Sequence, residues 1–146
     1  MEKKLSALDG DPNELICGIP RHKYFGVATR KALIIVSSDY ANLRECEDKD
    51  KYYDLPETKE DCKVILKGIK KLGFREENIV VLEEPSWNDV HLKMMETAMN
   101  LQKDAMVEKR TLFFFYYAGH GIMKNYTSIV CDKAPRQNRI FYPLEK

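Results

Sequence analysis

The chain has 146 residues, 44% hydrophobic and 32% charged, with 24 basic side chains against 23 acidic ones and a formal net charge of +1. That length suits a single domain able to withdraw roughly 70% of its extended-chain surface from water. The charge balance excludes nucleic acid or an anionic membrane as the main partner, since either calls for a basic surplus.

Residues 1–29 form a lead-in in which Gly10, Pro12, Gly18, Pro20 and Gly26 interrupt every periodic run; its expected content is extended chain with at most a short edge strand. The opening MEKKLSALDGDPNE lacks the hydrophobic segment of a secretory signal, and no run approaches the ~20 apolar residues of a membrane span. A cytoplasmic location is the expectation. Cys17, Cys46, Cys62 and Cys131 are irregularly spaced with no C-x-x-C pair, which argues for reduced thiols rather than a zinc site or a disulfide framework.

From residue 30 the pattern sharpens. ALIIV at 32–36 is a continuous, β-branched run suited to a strand covered on both faces and ends at SSDY. Residues 41–56 are charged and aperiodic, a solvated loop closed by Pro56. Cys62, Ile65, Leu66, Ile69 and Leu72 then share one face of a helix, with Lys67, Lys70 and Lys71 on its wet side and Gly73 as its stop.

NIVVLE at 78–83 predicts a second strand. Ser86 with Asp89 three places on predicts a capping box opening a helix to about Lys109. Val90, Met94, Ala98, Leu101 and Ala105, with Met95, Met99 and Met106 alongside, predict a broad buried face, with core packing preferred over a methionine-rich cofactor box. TLFFFYYA at 111–118 is the third strand and YTSIVCD at 126–132 a fourth, short one. Alternation of strands and helices predicts an α/β fold with a mainly parallel sheet covered on both faces. No repeat or inter-domain linker is visible.

The third strand runs into AGHG, and in open parallel sheets functional groups gather beyond the carboxyl ends of the strands. His120 has three readings there. It is a surface-loop histidine; or it belongs to a nucleotide loop, although Lys124 stands where a third glycine is needed and no helix start follows. Or it is a general base for a thiol or hydroxyl nucleophile, with the Gly121 N–H facing a developing oxyanion.

KALIIVSSDY, LPETKEDCKVILKGIKKLGF, NIVVLEE and FFFYYAGHG, in that order, resemble the caspase-like cysteine proteases, and YYAGHG followed by SIVCDKAP is most similar to their paracaspase and metacaspase branches. The resemblance implies a three-layer α/β/α sandwich over residues 30–146, with His120 catalytic and Gly121 in the oxyanion hole. It implies that Asp61 lines a pocket for a basic P1 side chain, since YYDLPETKED has no counterpart of the arginine that selects aspartate. From the residues alone, Asp61 reads equally as a first-turn carboxylate near a helix N-terminus.

In such sequences the nucleophilic cysteine lies about 50 residues beyond the histidine, whereas 26 residues follow His120 here. Cys62 reads as core, Cys46 as a loop residue and Cys17 as part of the lead-in. Cys131, 11 residues past His120, falls in the segment leaving the histidine loop rather than at the nucleophile, and IFYPLEK at 140–146 resembles the approach to the helix before the nucleophile strand. The expectation is a domain truncated before that strand, inactive alone, with a C-terminal segment or second chain supplying the cysteine and a peptide or protein as substrate. A catalytically dead binding module is the alternative. No cofactor or metal is called for by the chemistry, and calcium activation, which occurs among metacaspases, is not legible here.

Overall fold

The computed structural model describes residues 15–16, 19–20, 29–41, 52–107, 110–123, 127–131 and 141–144. In the lead-in, β1 (Leu15–Ile16) and β2 (Ile19–Pro20) pair antiparallel with Ile16 opposite Ile19. This short ribbon is separate from the main sheet, where an edge strand was the expectation.

The organising strand is β3, Thr29–Val36, whose apolar run has no polar side to turn to solvent and is covered on both faces. Two parallel neighbours flank it. β4 (Ile79–Glu83) pairs from Ala32 opposite Ile79 to Val36 opposite Glu83, and β5 (Thr111–Ala118) from Thr29 opposite Thr111 to Val36 opposite Ala118. The order is β4-β3-β5.

The chain therefore steps from β3 to β4 through α1 (Glu57–Lys71) and returns across β3 to β5 through α2 (Trp87–Met106). Reversing direction with right-handed crossovers puts the two helices on opposite faces. The packing agrees. Ala32, Ile34 and Val36 meet Cys62 and Ile69 of α1, while Leu33 and Ile35 meet Val90 and Met94 of α2, as the twofold alternation of a strand requires. These layers make the α/β sandwich expected from the sequence.

Both helices begin and end for identifiable reasons. α1 starts at Glu57, with Pro56 already at φ −60° and the Thr58 hydroxyl donating to the Leu55 carbonyl at 2.8 Å. It stops where Gly73 takes φ +88°, which lets the Phe74 N–H turn back to the Ile69 carbonyl and its ring join Phe114 in the core. Because the helix begins at Glu57, Asp61 is its fifth residue, beyond the first turn where the sequence alone would set it. At α2 the expected capping box is present: Ser86 Oγ accepts from the Asp89 N–H and the Asp89 carboxylate from the Ser86 N–H.

The methionines of α2 depart from expectation. Val90 is buried and Met94 and Leu101 partly so, but Met95, Met99 and Met106 face solvent and Ala98 and Ala105 are exposed. On a turn of 3.6 residues Met95, Met99 and Met106 lie nearly opposite Val90, so a helix seated on the sheet through Val90 turns them away from it.

A second, antiparallel sheet follows β5: β6 (Gly121–Met123), β7 (Thr127–Val130) and β8 (Phe141–Pro143), in that order. The expected fourth strand is thus the centre of a small meander, and part of IFYPLEK is a strand. Ile129, Cys131 and Tyr142 join the core beneath α2, and the Trp87 indole donates to the Phe141 carbonyl at 3.1 Å. Through these contacts the meander is docked close to where β5 ends.

Candidate active site

The carboxyl ends of β3 and β5 turn away on a framework of short hydrogen bonds. The Ser37 N–H donates to the Ala118 carbonyl at 2.8 Å, and the Glu84 N–H to the Val36 carbonyl at 2.8 Å. Glu84, held at φ 49°, accepts through its carboxylate from the Ser38 N–H (2.8 Å), the Ser38 hydroxyl (2.5 Å) and the Asp39 N–H (3.3 Å). The Tyr40 N–H donates to Asp54 at 2.9 Å and the Leu55 N–H to the Ser38 carbonyl at 2.8 Å, which brings the 52–55 segment over the strand ends.

His120 stands at this ledge. Its backbone N–H donates to the Tyr40 hydroxyl at 2.7 Å, while its carbonyl accepts from the Tyr117 hydroxyl at 2.6 Å and from the Val130 N–H at 3.0 Å. Tyr40 is fully buried. Burial pushes its phenol up and that of Tyr117 further still, so both stay neutral, Tyr40 accepting from the histidine and Tyr117 donating to it. The histidine's peptide is therefore gripped on both sides before its side chain makes any contact.

The ring is placed by three tyrosines. Tyr40, Tyr53 and Tyr52 meet the imidazole edge-on, with centroids 4.5, 4.9 and 5.7 Å away. Nε2 lies 2.7 Å from the Tyr53 carbonyl oxygen. A carbonyl only accepts, so Nε2 carries the proton, and in the neutral ring Nδ1 is left as the basic nitrogen.

The two glycines serve different ends. A Cβ on Gly119 would lie 2.6 Å from the Tyr40 hydroxyl and would overlap the Tyr117 hydroxyl, so only glycine fits between the gripping phenols. Gly121 is not crowded in this way, since a Cβ there would sit at an ordinary 3.4 Å from the Ser128 carbonyl. What matters at Gly121 is the ladder. Because Val130 donates to His120, the bonded pairs of β6 and β7 alternate from that position and Gly121 opposite Ile129 falls between them. Its N–H therefore points away from β7, toward the edge of β6 that has no strand partner among the described residues.

Of the residues singled out by sequence, His120 and Gly121 lie together at this edge, whereas Asp61 is exposed on α1 and no hydrogen bond joins it to the histidine. Its carboxylate acts instead on Tyr116, whose phenol is pushed up first by burial and then by Asp61. Cys131 is buried at 1% exposure among Leu33, Ile35 and Tyr142, and burial pushes its thiol up to about 12. Cys62 is buried under α1 with its thiol likewise raised. Neither has the low pKa and access of a nucleophile, while Cys17 and Cys46 fall outside the described residues. Among the described residues no group of three or more metal-ligating side chains is gathered.

Sequence reasoning missed Tyr40, Tyr53 and Tyr117. The signal was the concentration of tyrosine in SSDY, YYDLP and FFFYYAGHG, but Tyr40 and Tyr117, after and within apolar runs, read first as core, and Tyr53 as part of a solvated loop. The Tyr53 contribution comes from a backbone carbonyl, for which no side chain speaks.

The family model of peptidase C14, the caspase domain, matches residues 29–142. No curated protein and no solved structure matches the chain. The matched span runs from the first residue of β3 to β8 and contains both helices and the glycine-flanked histidine, and the chain belongs to the caspase-domain family of peptidases.

Proposed function

We infer that this chain is the histidine-bearing part of a cysteine endopeptidase of the paracaspase or metacaspase kind, cleaving after arginine or lysine. One observation carries this: an imidazole at a strand tip, donating through Nε2 to the Tyr53 carbonyl at 2.7 Å, beside a backbone N–H aimed at an edge with no strand partner among the described residues. The thiol comes from a segment outside the 146 residues, set alongside β5. Supporting this, β5 pairs only with β3 among the described residues, and its residues 111–117 are only half-buried although it is a strongly apolar strand.

In the proposed reaction Nδ1 of His120 takes the thiol proton and the thiolate attacks the scissile carbonyl carbon. The oxyanion that forms accepts from the Gly121 N–H. Collapse expels the amine, which receives the proton from Nδ1, and water activated by the same nitrogen then hydrolyses the thioester. Asp61 would face the basic P1 side chain. We place the reaction in the cytoplasm, in keeping with the free thiols of Cys62 and Cys131.

The alternative, a binding module without chemistry, is favoured by the fact that neither described thiol meets the imidazole. Fluorogenic arginyl, lysyl and aspartyl peptides distinguish the two. The 146-residue chain is expected to hydrolyse none; joined to its thiol-bearing segment it is expected to cleave the basic peptides, with His120→Ala reducing the rate by about 10³-fold or more. Failure of the joined protein on all three peptides would favour the binding module.

A further inference from the structure

The outer face of α2 carries an apolar stripe with no cover among the described residues. Leu92, Met95, Met99 and Met106 are 66%, 51%, 56% and 77% exposed, a concentration unusual for the solvent side of a helix. Their spacing is three, four and seven residues, with Gln102 filling the remaining place in the pattern. That is the 3.5-residue repeat of a helix packed against another helix, and on a turn of 3.6 residues it lies opposite the buried Val90.

The arrangement is close to palindromic. Leu92 and Met106 stand seven residues to either side of Met99, and Glu96 and Lys103 stand three before and four after it, on one flank of the stripe. On the other flank Ala98 and Ala105 are exposed and small, so a second helix can approach closely. An interface with a two-fold axis must be complementary to itself, and this one is.

We propose that the α2 stripe is a homodimer interface in which two copies pair antiparallel about a two-fold axis at Met99. Leu92 then faces the partner's Met106, Met99 meets its own copy, and Glu96 lies beside the partner's Lys103 twice over. Parallel pairing would instead lay the Glu96 and Lys103 flank against the partner's Ala98 and Ala105 flank, forming no ion pair across the contact. Methionine suits such a contact because its flexible thioether fills a surface that repeats itself only approximately. The helix is ~30 Å long, and one helix pair of that length buries less than roughly 1,200 Å², which places it among weak, transient contacts. The proposal is independent of the peptidase reading, because it involves neither His120 nor the missing thiol.

Sedimentation velocity of the 146-residue chain between 5 and 500 μM tests it. A monomer–dimer equilibrium is expected, abolished by Met99→Glu, which sets two like charges on the axis. Glu96→Lys and Lys103→Glu should each weaken the dimer about tenfold, and the double substitution should restore it. All of these positions are exposed on a helix, so the variants keep the fold, and far-ultraviolet circular dichroism checks this. A monomer throughout the range, or a dimer indifferent to Met99→Glu and to the charge exchange, overturns the proposal. So does a monomer whose thermal stability falls in Met99→Glu, since the face would then be covered by the chain's own segment.

Discussion

Gly119, between the phenols of Tyr40 and Tyr117, illustrates how narrowly the histidine's surroundings are defined. Adding one methyl group there would drive a carbon to 2.6 Å from the Tyr40 hydroxyl, so Gly119→Ala is expected to cost about 2–3 kcal/mol in urea unfolding. Part of that loss should be recovered in a Tyr117→Phe background, which removes one of the two clashing oxygens. Tyr40→Phe tests the grip from the other side. It strands the His120 N–H, now bonded at 2.7 Å, and should cost about 1–3 kcal/mol, with the change confined in amide-shift maps to residues 37–41, 52–54 and 117–121. His120 itself could be picked out from the sequence because two glycines around a histidine after an apolar run are uncommon. Tyr53 and Tyr40 could not, because they come from positions 67 and 80 residues away and act through a backbone carbonyl and a hydroxyl.

Elements were legible where local chemistry decides them. β3, β4 and β5 follow from apolar runs, and the start of α2 from Ser86 and Asp89, whose reciprocal bonds at 3.1 and 2.9 Å hold the first turn. Ser86→Ala is accordingly expected to lower stability by about 1 kcal/mol, read as a fall in the urea midpoint at unchanged slope. The end of α1 was legible for a similar reason, since Gly73 sits at φ +88°. β6 and β8 were not. Three-residue strands carry almost no periodicity, and they exist because β7 lies between them.

At the scale of the whole molecule, one core face depends on a thiol. Cys131 lies beneath α2 and the meander at 1% exposure, and burial holds its pKa at about 12. Because the folded value exceeds the ordinary thiol range, stability is intact below about pH 8.5 and falls as pH rises, by about 1.4 kcal/mol per unit until the folded thiol also ionises. The raised phenols of Tyr40, Tyr117 and Tyr142 add to this loss only above about pH 10. Urea unfolding between pH 8 and 10 should therefore show a decline that Cys131→Val reduces. A thiol-specific reagent at pH 8 should modify this cysteine only as fast as the protein opens.

By itself the sequence determined the three strands of the parallel sheet and the two helices, that the fold is α/β, and that the end of the third strand carries an unusual histidine; all of these rest on near neighbours in the chain. The tertiary structure decided which nitrogen of that histidine is protonated, which tyrosines hold it, that Cys131 is core, and that the methionines of α2 face outward. Those properties depend on which surfaces meet, and a sheet packed against one side of a helix leaves the opposite side uncovered.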